Sequence, residues 1–319
     1  MIRFLLLLLV VPCFVLSQTL SEQGIRLNKF YYKGDSLEYI VHSKRGEENI
    51  KKPIIFLCQG SLPQPPVINN NGNFTPIFLP FDYRRYLDKF HIVVVSKSGI
   101  PAIVASEGLN ENYMFLDSNG SPPKKFIDNN YLEYYYKRNI FLLKRLNKEK
   151  WVEKNNFTVI SHSEGSYIAV MMAHKYTKIK KIIYSGGNPL GRIMSIISQD
   201  KQNNSSSSDI ESDFQYWKDI LSGEETDIST FSYSDKNFFE TILSLKIPVL
   251  VTYGSKDWNA IFNDYLRIET LRLGKSNFTF KVYYDTDHNF FKLNNCNEVE
   301  SNEPLWQNVG NDWLDWIQQ

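Results

Sequence analysis

Residues 157–176 read FTVISHSEGSYIAVMMAHKY, and no other stretch of this chain constrains its fold as much. Four residues of strand character, Phe157, Thr158, Val159 and Ile160, run straight into Ser161-His162-Ser163-Glu164-Gly165. The apolar helix formers Ile168, Ala169, Val170, Met171, Met172 and Ala173 follow at once. A strand that becomes a helix so quickly holds the middle residue of the turn on strained backbone, with its side chain pushed outward. Strand and helix backbones pass close together there, so the positions two before and two after the middle must be small. Ser161 and Gly165 meet that demand, which leaves Ser163 on display. An ordinary strand–helix turn is the competing reading of the same letters.

The chain around this stretch alternates. Residues 53–58 (PIIFLC), 91–96 (HIVVVS), 181–185 (KIIYS), 248–253 (PVLVTY) and 278–284 (FTFKVYY) are apolar runs fit for buried strands. Residues 28–43 read as two strands around a Gly34-Asp35 turn. Segments 81–90 and 131–151 read as helices, with long Pro- and Asn-rich loops at 59–80 and 97–125. The chain ends in a helix, 306–318, whose Trp306, Val309, Trp313 and Trp316 recur at three- and four-residue steps and suit packing on a sheet. This order predicts an α/β fold with a mainly parallel sheet of about eight strands, covered by helices on both faces. Residues 188–246 interrupt the alternation with no clear strand, a low-complexity run at 202–209 and three stretches of helical character.

Arg3, the mostly apolar run 4–16 and the small Ser17 read as a secretory signal peptide over residues 1–17. That run is too short to span a bilayer, which takes about 20 residues, and no later run is long enough. The remaining residues, 18–319, are then expected to be secreted or periplasmic; an uncleaved N-terminal anchor is the alternative. A formal net charge of +1 with both signs interspersed points away from a nucleic-acid partner. Past the leader only Cys58 and Cys296 remain, and the buried strand pattern around Cys58 favours a packed free thiol over a disulfide. Closely spaced His and Cys ligands of a zinc site are missing.

The small-x-Ser-x-Gly pattern between a strand and a helix resembles the nucleophile elbow of the α/β-hydrolase superfamily, with Ser161 where the better-known motif has its first Gly. Its HSEG wording is similar to the esterase, thioesterase and peptidase branches. The resemblance implies Ser163 as nucleophile, followed in chain order by an acid and a base. The histidines are His42, His91, His162, His174 and His288. His42 and His91 precede the elbow, and His162 leaves the turn in another direction. His174 lies ~16 Å along the helix at a rise of ~1.5 Å per residue. His288 alone falls in a loop after the last strand, where the superfamily keeps its base. The strand 248–253 ends in Gly254-Ser255-Lys256-Asp257, which makes Asp257 the implied acid. Asp285 and Asp287 are competitors by proximity, better suited to shaping the turn around His288.

The same resemblance implies two oxyanion donors: the backbone amide of Glu164, at a helix start, and that of Ser61, in the loop after residues 53–58. Ser61 departs from the His-Gly-Gly pattern of many esterases. It also implies that residues 188–246 form a cap; a mobile surface excursion is the other reading. The expected activity is acyl transfer to water on a small-molecule ester, a thioester or a short peptide, with no metal or organic cofactor. Two alternatives stand: an aminopeptidase rather than an esterase, and a catalytically silent hydrolase fold that only binds a ligand.

Overall fold

A computed structural model describes residues 20–203, 206–300 and 304–319, so the expected leader, residues 1–17, lies outside the described residues. The strands are β1 (Ile25–Tyr32), β2 (Asp35–His42), β3 (Lys52–Cys58), β4 (Val67–Asn70), β5 (Asn73–Pro76), β6 (His91–Val95), β7 (Ile103–Ala105), β8 (Val152–Ser161), β9 (Ile179–Ser185), β10 (Val249–Gly254) and β11 (Phe278–Tyr283). Eight of them form one sheet in the order β1-β2-β6-β3-β8-β9-β10-β11. The β1–β2 and β2–β6 pairs are antiparallel, whereas β3–β6, β8–β9, β9–β10 and β10–β11 are parallel. Parallel strands bury both faces, and every residue of β6 and β10 is accordingly buried. Complete burial of a Val or Ile side chain contributes about 1.5–3 kcal/mol, and Ile54, Val93, Val159, Ile182 and Val249 all reach it.

The expected eight-stranded, mainly parallel sheet is therefore present. Asp35 pairs with Tyr32, so the first hairpin turns at Lys33-Gly34, one residue earlier than the expected Gly34-Asp35. The supposed loops at 59–80 and 97–125 are not structureless: β5, β4 and β7 make a second, three-stranded sheet. Its hairpin turns at Asn71 and Gly72, both at positive φ, a strong two-residue hairpin signal. Strands of three or four residues carry too little periodicity to stand out in a Pro- and Asn-rich stretch.

The chain divides into two compact units. One comprises residues up to 57 with 62–128 and 142–154; the other comprises 58–61, 129–141 and 155–319. Within the second, residues 188–246 hold no strand among the described residues but four helices, one more than expected: Arg192–Gln202, Ser207–Ser222, Ile228–Tyr233 and Phe238–Ser244. Ser206 and Asp209 close a reciprocal capping box on the second of these, and the Asp227 carboxylate caps the third. The terminal helix Trp306–Gln318 buries Trp306, Val309, Trp313, Leu314 and Ile317, and the Trp313 indole donates to Thr252 Oγ1 on β10 at 3.3 Å. Both Cys58 and Cys296 are free thiols, the first buried 3.6 Å from Met172 Sδ. No helix of the described residues is long and apolar enough to cross a membrane.

Candidate active site

β8 ends at Ser161 and the helix Glu164–Lys175 begins three residues later. Between them Ser163 has φ 55° and ψ −129°, far from any region an ordinary residue prefers. Such a conformation costs on the order of 1–3 kcal/mol, and persists because its surroundings impose it. The Ser163 amide donates to Ser185 O at 2.8 Å, the Ser161 hydroxyl to Ile183 O at 2.5 Å and the Ser166 hydroxyl to Ser185 O at 2.8 Å, tying the turn to β9. Gly165 is obligatory: a Cβ there would stand 2.1 Å from the Cys58 carbonyl oxygen. A Cβ on Gly60 would lie 3.8 Å from Ser163 Cβ, so the chain leaving β3 passes over the turn.

His288 lies between Ser163 and Asp257. Its Nε2 is 3.0 Å from Ser163 Oγ and its Nδ1 is 3.0 Å from Asp257 Oδ2. A carboxylate can only accept, so Nδ1 carries the proton and Nε2 is left to accept from the Ser163 hydroxyl. Asp257 and His288 are both buried. Two loops that lock together set this distance. Ser255 N donates to Tyr283 O and Lys256 N to Thr286 O, both at 2.9 Å, while Asp285 N donates to Ser255 Oγ at 2.8 Å. Gly254 makes room for the contact, since a Cβ there would meet the Thr286 and Asp287 carbonyls at 2.2 and 2.3 Å. The Asp287 carboxylate accepts the amides of Asn289 (2.9 Å) and Phe291 (2.8 Å), shaping the turn that presents His288.

The structure thus brings Ser163, Asp257 and His288 together and sets Glu164 at the start of the helix behind the serine. Ser61 sits in the short segment that leaves β3. His162 stands outside this chain of hydrogen bonds although its ring lies beside His288, centroids 4.8 Å apart: the half-buried side chain bonds Ser185 Oγ through Nδ1 at 3.0 Å and packs on Trp306. Burial, with the nearby His288 adding to it, holds the His162 imidazole well below the ordinary histidine range, so it stays neutral. His174 is far down the helix beside Ser244.

Several contributors escaped the sequence reading. Trp258 stacks on His288 with ring centroids 4.2 Å apart and fixes the ring plane. Asn259 donates to Gly186 O and accepts from Asn188 and Ser195, each at 3.0 Å, binding the end of β9 to the loop that carries Asp257. Glu164 points not to solvent but to Arg192, with 2.7 Å between carboxylate and guanidinium. The adjacency of Trp258 and Asn259 to Asp257 was a visible signal; nothing local marked Arg192. Among the described residues no three His, Cys, Asp or Glu side chains come together as a metal-binding group.

No family model matches the chain, and no curated protein matches it in sequence. Solved structures do. The Porphyromonas gingivalis dipeptidyl peptidase 4 is similar over 91% of this chain and 35% of its own, at 12% identity and a TM-score of 0.53. The acylaminoacyl peptidase of Pyrococcus horikoshii gives 92% and 41%, at 14% identity and a TM-score of 0.55. This chain spans well under half the length of those peptidases. A Klebsiella pneumoniae protein assigned as a dienelactone hydrolase is covered over 99% of its length, with 92% of this chain, 12% identity and a TM-score of 0.55. At such identities the likeness is one of fold.

Proposed function

We propose that this chain, which has the α/β-hydrolase fold, is a secreted serine hydrolase that cleaves an ester or amide bond of a small substrate through an acyl-enzyme on Ser163. One observation carries the reading: a single imidazole stands 3.0 Å from a serine hydroxyl on one side and 3.0 Å from a buried carboxylate on the other. A serine hydroxyl is a weak nucleophile until a base can take its proton. His288 Nε2 accepts that proton as Ser163 Oγ attacks the substrate carbonyl, a contribution of about 10²–10⁴ in rate. Asp257 holds the tautomer and stabilises the imidazolium that forms. The same imidazolium then protonates the leaving alcohol or amine, and water repeats the sequence to release the acid.

Negative charge collects on the carbonyl oxygen during both steps. The amides of Glu164 and Ser61 are the donors assigned to it, each worth about 10²–10³ in turnover. Residues 188–246 act as a cap; its four helices and its Arg192 contact with Glu164 support that role. The leader rests on Arg3, the run 4–16 and Ser17 alone, and N-terminal sequencing of exported protein tests it.

A fluorophosphonate probe tests the chemistry. Ser163 in the wild type is expected to be labelled and His288→Ala not; a folded wild type left unlabelled would turn the reading into that of a ligand-binding protein. The fold neighbours include peptidases and a protein assigned as a dienelactone hydrolase, so both amide and ester substrates belong in the assay. A panel of p-nitrophenyl esters and aminoacyl anilides separates them.

A further inference from the structure

Glu164 occupies an awkward position for a carboxylate. It directly follows the nucleophile, its backbone amide is one of the two assigned oxyanion donors, and its side chain is 4% exposed. A helix start welcomes a negative charge on its own account. An oxyanion forming at the same residue does not, because like charges in a poorly solvated site repel far more than in water. The partner that offsets this charge comes from residues 188–246. Arg192, the first residue of the helix Arg192–Gln202, places Nη1 2.7 Å from Glu164 Oε2. The same Nη1 is 3.1 Å from the Ser229 hydroxyl in the helix Ile228–Tyr233. Ser229 Oγ also accepts from Asn130 Nδ2 at 3.2 Å, so the hydroxyl that holds the guanidinium from a second side is itself fixed in place. The Arg192 side chain is 31% exposed, beside a carboxylate almost wholly covered.

We infer that Arg192 is a positioning residue for the proposed hydrolysis: it neutralises the Glu164 carboxylate so that the amide of the same residue can receive an oxyanion. The inference rests on the serine hydrolase reading and deepens it. It gives the helical segment a part in the chemistry, since that segment supplies the guanidinium 2.7 Å from the carboxylate that lies beside the developing charge. Arg192 touches no reacting atom in this scheme and acts through Glu164.

The measurement is the second-order rate constant for fluorophosphonate labelling of Ser163, whose phosphonylation also builds negative charge on an oxygen, alongside kcat and KM on whichever ester or anilide the wild type turns over. Arg192→Gln is expected to label at least tenfold more slowly and to lose kcat with little change in KM. Arg192→Lys should keep most of the rate. The double variant Glu164→Gln/Arg192→Gln should recover most of what Arg192→Gln loses, because the buried negative charge is gone with its partner. A merely structural pair would be relieved by the same double variant, but its loss in Arg192→Gln would appear in the unfolding midpoint and not as a fall in kcat at unchanged KM. Labelling of Arg192→Gln within twofold of wild type overturns the inference, as does a double variant no faster than the single one. If Arg192→Gln does not fold, the comparison of Arg192→Lys with Glu164→Gln/Arg192→Gln decides: the inference requires both to label within tenfold of wild type, and a double variant slower than that overturns it. A folded wild type that is not labelled at all overturns the hydrolase reading itself, a separate outcome from any of these.

Discussion

Ser43 Oγ and His91 Nδ1 stand 2.7 Å apart, while Ser163 Oγ and His288 Nε2 stand 3.0 Å apart. By distance the first pair has the better claim to an activated serine. The difference lies in what the second nitrogen of each ring meets. His91 Nε2 is 2.8 Å from the Ile50 carbonyl, whereas His288 Nδ1 is 3.0 Å from the Asp257 carboxylate. Either acceptor fixes the tautomer, but only a carboxylate stabilises the imidazolium that follows proton transfer. The fields differ too. Burial above all, with Arg26 and Lys52 adding to it, holds His91 below the ordinary histidine range, which opposes its taking a proton. Ser43 and His91 are both wholly buried, so no substrate reaches the hydroxyl. A hydroxyl against an imidazole is thus a common structural hydrogen bond; a nucleophile needs a base that can bear charge and a turn that exposes the oxygen.

Removing the two hydroxyls is the sharpest way to break this contrast. Ser163→Ala is expected to abolish fluorophosphonate labelling and to lower turnover by about 10⁴ or more, whereas Ser43→Ala should stay within about threefold of wild type. Peptide mapping that found label on Ser43 would erase the distinction. Asp257→Asn comes next: with folding intact, kcat should fall by about 10³–10⁴, as the ring loses the partner that holds its tautomer and charge. A fall of less than tenfold would mean that the carboxylate is not what separates the two pairs.

Smaller effects read the structural histidines through stability. His42, bonded to Tyr83 Oη at 2.9 Å and Gln23 O at 3.1 Å, is pushed by burial from near 6.5 down to about 4. Between those values the unfolded chain binds the proton and the folded chain does not. Its contribution is therefore complete above pH 6.5 and is lost as pH falls towards 4, on the order of 2 kcal/mol by pH 5. Urea unfolding at pH 7 and pH 5 should show a shallower acid loss in His42→Gln; an unchanged slope would remove His42 from the account. Smallest of all, Ser43→Ala leaves His91 Nδ1 without its donor and should cost about 1–2 kcal/mol in the same assay at pH 7.

Much of the candidate site was legible because its signals are local. Small residues flank Ser163 within two positions, Asp257 follows a buried strand, and Asp287 has the turn chemistry that presents His288. The three-stranded sheet was missed although Asn71-Gly72 announces a hairpin, because β4, β5 and β7 are too short for alternation to show. A fourth helix in 188–246 was missed for a similar reason: the helices Ile228–Tyr233 and Phe238–Ser244 are barely two turns each.

The succession of the eight strands of the main sheet and the sharp turn at Ser163 follow from the sequence alone, and the resemblance it carries names Ser163, Asp257 and His288 as candidates, since each depends on neighbours a few residues away or on element order. The tertiary structure decided the rest. The 3.0 Å distances at His288, the stack of Trp258 on its ring and the approach of Arg192 to Glu164 across 28 residues all depend on how separate elements pack. No periodicity along the chain encodes such contacts, because they join residues far apart in sequence whose approach is set by the packing of whole elements.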